Sequence, residues 1–144
     1  MIAVADTSGI LALFNRADPE HTQVSSAANS CGLLVLSPVA LTEVHQVATI
    51  RAQRTVADAI VTTILERADA GRIAIADTTP RQLRNALGVR RRYAALDLDL
   101  ADAVAVAVAS DYRTDVVLTL DRRDFRAMRP LTGQPAFRLL PDDL

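Results

Sequence analysis

Four acidic residues, Asp6, Glu43, Asp102 and Asp121, stand where carboxylates are normally avoided: at the ends of apolar, strand-like runs or on the inner side of a helix. Burying a carboxylate costs about 1–7 kcal/mol, depending on the reference state, unless it gains a partner. Four of them converging would repel one another and raise each other's pKa. The chain has no lysine. A divalent cation is the simplest way to make such a cluster tolerable. Carboxylate oxygens are hard ligands that suit Mg²⁺ or Mn²⁺. No histidine pair or cysteine set has the spacing of a zinc site. The chemistry this points to is metal-dependent attack on a phosphate ester.

The elements that must hold these acids alternate between strand and helix. Ile2–Ala5 reads as a buried strand, followed by helices over Thr7–Ala17 and Pro19–Ser30, the second opened by Asp18 and Pro19. Leu33–Leu36 is a second strand. Ser37-Pro38 starts a helix, with serine as the cap and proline at its first position, and that helix runs to about Gln53. Thr55–Ala70 is the next helix, stopped by Gly71. A strand over Ile73–Ala76 and helices over Pro80–Tyr93 and Leu100–Tyr112 follow. The chain then gives a strand over Val116–Leu120, a short helix over Arg122–Met128 and an edge strand over Phe137–Leu140. Ala103–Ala109 alone is ambiguous, because a continuous apolar run hides its period. Its alanine content and preceding capping residues favour helix. The alternation of strands with helical segments predicts a parallel sheet with helices on both faces. The fold class is therefore α/β, a three-layer α/β/α sandwich, in one domain spanning residues 1–144.

Each acid also has a structural reading. Asp6 and Asp121 follow strands and precede helices, so each serves as an N-cap. Asp124 suits the first turn after Asp121. Asp99 caps the helix that carries Asp102 at its third position, and Asp97 and Asp99 compete with Asp102 for any role. Glu43 is the most telling, since at 100° per residue it falls within an arc shared by Ala40, Val44, Val47 and, at the edge, Ile50. The capping and functional readings agree in placement. In a parallel sheet, ligands bind beyond the carboxyl ends of the strands. Neighbouring strands lie about 4.7–4.9 Å apart, so Asp6 and Asp121 face one crevice if their strands are adjacent.

Composition narrows the alternatives. Half of the 144 residues are hydrophobic and there is no tryptophan, so the expected core is Ala, Val, Leu and Ile. The net charge of −1 means that any nucleic-acid contact must come from a local patch. Arg90, Arg91 and Arg92 form the densest one, and Arg122 and Arg123 flank Asp121. The lack of lysine excludes a P-loop and Schiff-base chemistry. Cys31, the single cysteine, is expected to be a small buried hydrophobe. His45 is expected to pack or to support the acids from behind. The start has no basic leader, and the 103–109 run is far shorter than the ~20 residues of a membrane span. A cytoplasmic chain with no membrane association is expected.

Taken together, VADTSGIL, SPVALTEV, DLADAVAVAVA and VVLTLDRRDF, in this order and across essentially the whole chain, resemble the PIN domain. Within that family, the likeness is to the VapC-type toxin ribonucleases of bacterial toxin–antitoxin pairs. The resemblance implies a PIN-like parallel sandwich and a metal-dependent endoribonuclease, with Asp6, Glu43, Asp102 and Asp121 as catalytic metal ligands for Mg²⁺ or Mn²⁺. Thr7 or Ser8, Thr119, Asp99 and Asp124 would support the cluster. Arg90, Arg91, Arg92 and Arg122 would contact RNA. Such an ion lowers the pKa of a water and neutralises charge on the scissile phosphate, so no side-chain nucleophile is needed. A cognate antitoxin that occludes the acids, and a homodimer, are the implied partners.

Two other readings stand beside it. A receiver-like or dehalogenase-like phosphoryl-transfer domain would share the strand-end acids but use a lysine, which is absent. A PIN-like module that binds RNA or a partner without cleaving would keep the fold, and metal-dependent cleavage distinguishes it.

Overall fold

The computed structural model describes residues 1–144. Five short strands, β1 (Ile2–Ala5), β2 (Leu33–Leu36), β3 (Ile73–Ile75), β4 (Val116–Leu118) and β5 (Arg138–Leu140), form one sheet in the order β3-β2-β1-β4-β5. Every pairing is parallel. The helices are α1 (Thr7–Phe14), α2 (His21–Ser30), α3 (Pro38–Arg51), α4 (Arg54–Asp69), α5 (Pro80–Arg92), α6 (Leu100–Asp111) and α7 (Arg122–Ala127).

Strand alternation divides the core in two. Ala3, Ala5, Leu34, Leu36, Val116 and Leu118 face one apolar cluster with residues of α1–α4, among them Ile10, Val24, Val44 and Ile64. Val4, Val35, Val117 and Leu139 face the other, with residues of α5, α6 and α7. This is the expected three-layer sandwich. Its strands are apolar on both faces because both faces are covered. Residues 103–109 are helical and buried all round, as a helix sandwiched in a core must be. The core is not purely aliphatic. Phe125 is fully buried and meets Phe137 edge-on, with ring centroids 5.9 Å apart.

Most helices end within one or two residues of their patterns, and side chains account for the two shortened at α1 and α2. α1 stops at Phe14, not Ala17, because the Asn15 side chain accepts the Ala17 N–H at 3.1 Å and the backbone turns there. α2 starts at His21, not Pro19. Asp18 spends its Oδ1 on the Glu20 N–H at 2.8 Å and so forms a turn outside the helix. Gly71, with φ of +76°, ends α4 as expected.

The sheet order makes β1 and β4 neighbours, with Ala5 beside Leu118. The chain winds outward from β1 on one side and from β4 on the other, so the crevice between their carboxyl ends is the topological switch point of the sheet. The close approach of α1 to β4 requires a glycine. A Cβ at Gly9 would lie 2.3 Å from the Leu118 carbonyl oxygen, well inside contact distance of backbone that cannot move aside. Gly9→Ala is expected to destabilise the fold by about 1–3 kcal/mol through overpacking. The midpoint of a urea unfolding curve measures this, and an unshifted midpoint would show that α1 has room to slide.

Candidate metal centre

Asp6 ends β1, is buried and caps α1. Its Oδ1 accepts from the Gly9 N–H and the Ser8 hydroxyl, both at 2.8 Å, and its Oδ2 from the Thr119 hydroxyl at 2.5 Å. The direction of each hydroxyl is fixed by a second bond. Ser8 Oγ accepts the Leu120 N–H and Thr119 Oγ1 accepts the Asp121 N–H, each at 2.9 Å. Each hydroxyl therefore has its one hydrogen free for Asp6. These donors favour the ionised carboxylate, but burial outweighs them, and the Asp6 pKa is pushed up to about 6. Ser8 and Thr119 thus join the loop after β1 to the loop after β4. Thr7 does not share in this. Its hydroxyl is buried without a partner and makes no bond to the acids.

Asp102 sits one turn into α6. Asp99 caps that helix, accepting the Asp102 N–H at 2.9 Å. Burial, reinforced by the charges of Asp99, Asp6, Asp121 and Glu43, raises the Asp102 pKa to about 8. Acids from β1, α3, α6 and the loop after β4 thus all act on this one carboxyl group. The tightest group is Asp102, Asp121 and Asp124, which offer carboxylate oxygens within 4.8 Å of one another. Asp121 caps α7 by accepting the Asp124 N–H at 3.2 Å. Burial and Asp121 raise the Asp124 pKa. Asp124 therefore stands among the clustered acids, whereas the sequence pattern places it behind them. The i, i+3 spacing after a cap was the signal for it.

Glu43 is half-buried on α3 and near enough to act on Asp102. The arc assigned to its helix needs correction. The buried stripe is Ala40, Val44 and Ala48, while Val47 is only partly covered and Ile50 is 83% exposed. Glu43 flanks the buried face and does not lie within it.

The basic residues divide. Arg90, Arg91 and Arg92 close α5, and the Arg90 Nε donates to the Leu98 carbonyl at 2.8 Å. That bond ties Arg90 to the residue preceding Asp99. Arg92 also lies over the Tyr93 ring, 5.6 Å from its centroid. Arg122 is a correction. Its guanidinium is engaged by Glu20 and Asp142, so it is not a free phosphate contact. His45 is another. Its Nε2 meets Asp58 Oδ1 at 2.7 Å across the α3–α4 pair, not the acids. Cys31 is buried, as expected.

A cation fits this donor set. Several carboxylates share one crevice, none is paired with an arginine or a lysine, and Asp121 raises the charging cost of Asp6, Asp102 and Asp124. Oxygen ligands alone are offered, which suits Mg²⁺ or Mn²⁺.

Residues 3–129 match the family model of the PIN domain. The chain belongs to the PIN-domain family. It is 35% identical over 131 residues to Ribonuclease VapC26 of Mycobacterium tuberculosis, covering 90% of this chain and 94% of that one. Among solved structures, its fold resembles VapC20 of M. tuberculosis, described as a Sarcin-Ricin loop cleaving toxin. The TM-score is 0.78 at 21% identity, over 94% of this chain and 100% of the other. It also resembles VapBC2 of Rickettsia felis bound to a promoter DNA fragment. There the TM-score is 0.67 at 13% identity, over 91% of this chain and 96% of the other. The acids of this PIN domain occupy the crevice between β1 and β4. No helix is long and apolar enough to cross a membrane.

Proposed function

We propose that this PIN-domain chain is a VapC-type toxin, an endoribonuclease that cleaves RNA at the acidic crevice between β1 and β4. The observation that carries the reading is the cluster of Asp102, Asp121 and Asp124, tied through Thr119 to the buried Asp6, in a chain 35% identical to Ribonuclease VapC26. Asp6, Glu43, Asp102 and Asp121 would hold Mg²⁺ or Mn²⁺, with Asp124 in reach of the same ion as Asp102 and Asp121. When bound, the ion lowers the pKa of water and neutralises charge on the scissile phosphate. The chain's own residues prepare the site. Ser8, Gly9 and Thr119 fix the Asp6 carboxylate, and Thr119 also fixes the backbone of Asp121. Asp99 holds the first turn of α6 and with it Asp102. An antitoxin that covers the acids is the regulatory partner of this reading, a homodimer its assembly and the cytoplasm its compartment.

The test is cleavage of a structured RNA panel by purified chain, freed of any partner, in Mg²⁺, in Mn²⁺ and in EDTA. Cleavage in either metal and none in EDTA is expected. RNA binding without cleavage under every metal would replace this reading with a non-catalytic module.

Arg90, Arg91 and Arg92 would draw RNA toward an otherwise acidic site. Replacing all three by glutamine is expected to weaken RNA binding and to flatten its salt dependence. Each lost single-strand phosphate contact removes about 0.7 from the log–log slope. Binding isotherms at several salt concentrations measure this, and an unchanged slope would place the RNA elsewhere.

A further inference from the structure

Arg122 is the first residue of α7, immediately after Asp121. A cation there faces the positive end of the helix dipole. It also stands beside Asp121 and Asp124, yet it bonds to neither. Its Nε donates to Asp142 Oδ2 at 2.6 Å and its Nη2 to Asp142 Oδ1 at 2.9 Å. Its Nη1 donates to Glu20 Oε2 at 3.2 Å, and Nη2 also meets Glu20 Oε1. One guanidinium thus ties the start of α7 to the residue before α2 and to the segment after β5. A turn further on, Arg126 forks onto Asp143 at 2.7 and 2.8 Å.

A helix of six residues is too short to hold its place without tertiary contacts. Phe125 anchors α7 to the core from below. The turn bearing Asp121 and Asp124 is tied at its start by the Asp121 N–H bond to Thr119 Oγ1, and the fork at Arg122 is its second tie, to Glu20 and Asp142. Bidentate pairs of this kind fix geometry as well as supplying energy.

We propose that Arg122, gripped by Glu20 and Asp142, is a positioning residue that fixes Asp121 and Asp124 opposite Asp102 and so sets the affinity of the crevice for a divalent cation. The inference rests on the metal-dependent reading above. Its test is calorimetric binding of Mn²⁺ alone to the full chain, with thermal unfolding recorded beside it. Arg122→Gln, and Glu20→Gln combined with Asp142→Asn, are each expected to weaken Mn²⁺ binding about tenfold, the lower end of what partners outside the ligands cost. Combining all three should add little, because both variants break one clamp. Arg122→Lys should recover only part, since an ammonium cannot fork between two carboxylates. Glu20→Gln alone keeps the Asp142 arm and should give an intermediate loss, which serves if the double variant does not fold.

Unchanged Mn²⁺ affinity in folded Arg122→Gln would overturn the proposal, whatever its unfolding temperature, and leave the clamp a purely structural tie. Weakening in the Glu20/Asp142 variant alone would overturn it too, since a freed guanidinium would then be competing with the ion. Asp121→Asn is the control. If that variant binds Mn²⁺ like the parent chain, the metal assignment itself fails and takes the proposal with it. Loss of binding in Asp121→Asn with intact binding in the clamp variants rejects the clamp alone.

Discussion

Asp6→Asn is expected to reduce RNA cleavage by roughly a hundredfold or more while leaving the fold at least as stable as before. The first half follows from position. Asp6 is buried at the floor of the crevice, and its charge acts on Asp102 across it. Loss of even an outer partner to a metal site typically costs about 10–100-fold in affinity or activity, and loss of a ligand should exceed that. The second half follows from the same burial. The pKa of Asp6 is pushed up to about 6, chiefly by desolvation, so near neutral pH the native chain carries an unfavourable buried charge. Asparagine has the same shape, keeps an acceptor for the Gly9 N–H and the Ser8 hydroxyl and removes that charge, while its amide nitrogen donates to Thr119 Oγ1 where the carboxylate accepted. In EDTA at pH 7.5 the variant should therefore unfold at the same temperature as the parent or higher, with cleavage in Mn²⁺ lost. Opposite movements in activity and stability exclude misfolding as the cause of inactivity. Retained cleavage would remove Asp6 from the site, and a sharp fall in unfolding temperature would mean that its charge stabilises the fold.

Asp6 also shows why much of this architecture is legible in the sequence. Its helix cap and its place in the crevice are one feature, because in a parallel sheet every strand ends at the same edge. Apolar runs bounded by capping residues therefore located both the elements and the acids. Asp6, Asp121 and Asp99 all cap helices, as their sequence contexts predict. What the pattern could not supply is partnership across the chain. Arg122 looks like a basic neighbour of the site until Glu20 and Asp142, 102 and 20 residues away, are seen to hold it. His45 is drawn off by Asp58 on the next helix in the same way. The exposure of Ile50 has a different origin. Periodicity reports which residues share a face, not how far the neighbouring elements extend along it, and that face of α3 runs out of cover before Ile50. Asp124 was visible as a first-turn acid, but only the three-dimensional approach of α6 to α7 shows that it joins Asp102 and Asp121.

The convergence of acids carries a pH dependence opposite in sign to the usual one for carboxylates. Asp6 and Asp102 have an ordinary value of 3.8 and are raised in the folded chain to about 6 and about 8. Between pH 4 and 8 the native state therefore holds protons that the unfolded state has released. Where the native state binds more protons, stability falls as pH rises. The contribution is fully present below about pH 3.8 and is lost as pH climbs through the two raised values. In EDTA, the unfolding temperature should decline from pH 5 to pH 8.5 as these charges appear. Divalent-ion binding runs the other way, since ligands must be deprotonated and binding releases their protons. Mn²⁺ affinity should climb with pH, by up to about tenfold per unit for each proton displaced, and level off above about pH 8. Calorimetry at pH 6.5 in buffers of different ionisation enthalpy should register proton release on Mn²⁺ binding, and far less at pH 9. Asp102→Asn should abolish most of that release. A flat affinity profile with no proton release would mean that the clustered carboxylates are already ionised without the ion, with their mutual repulsion relieved by some other route.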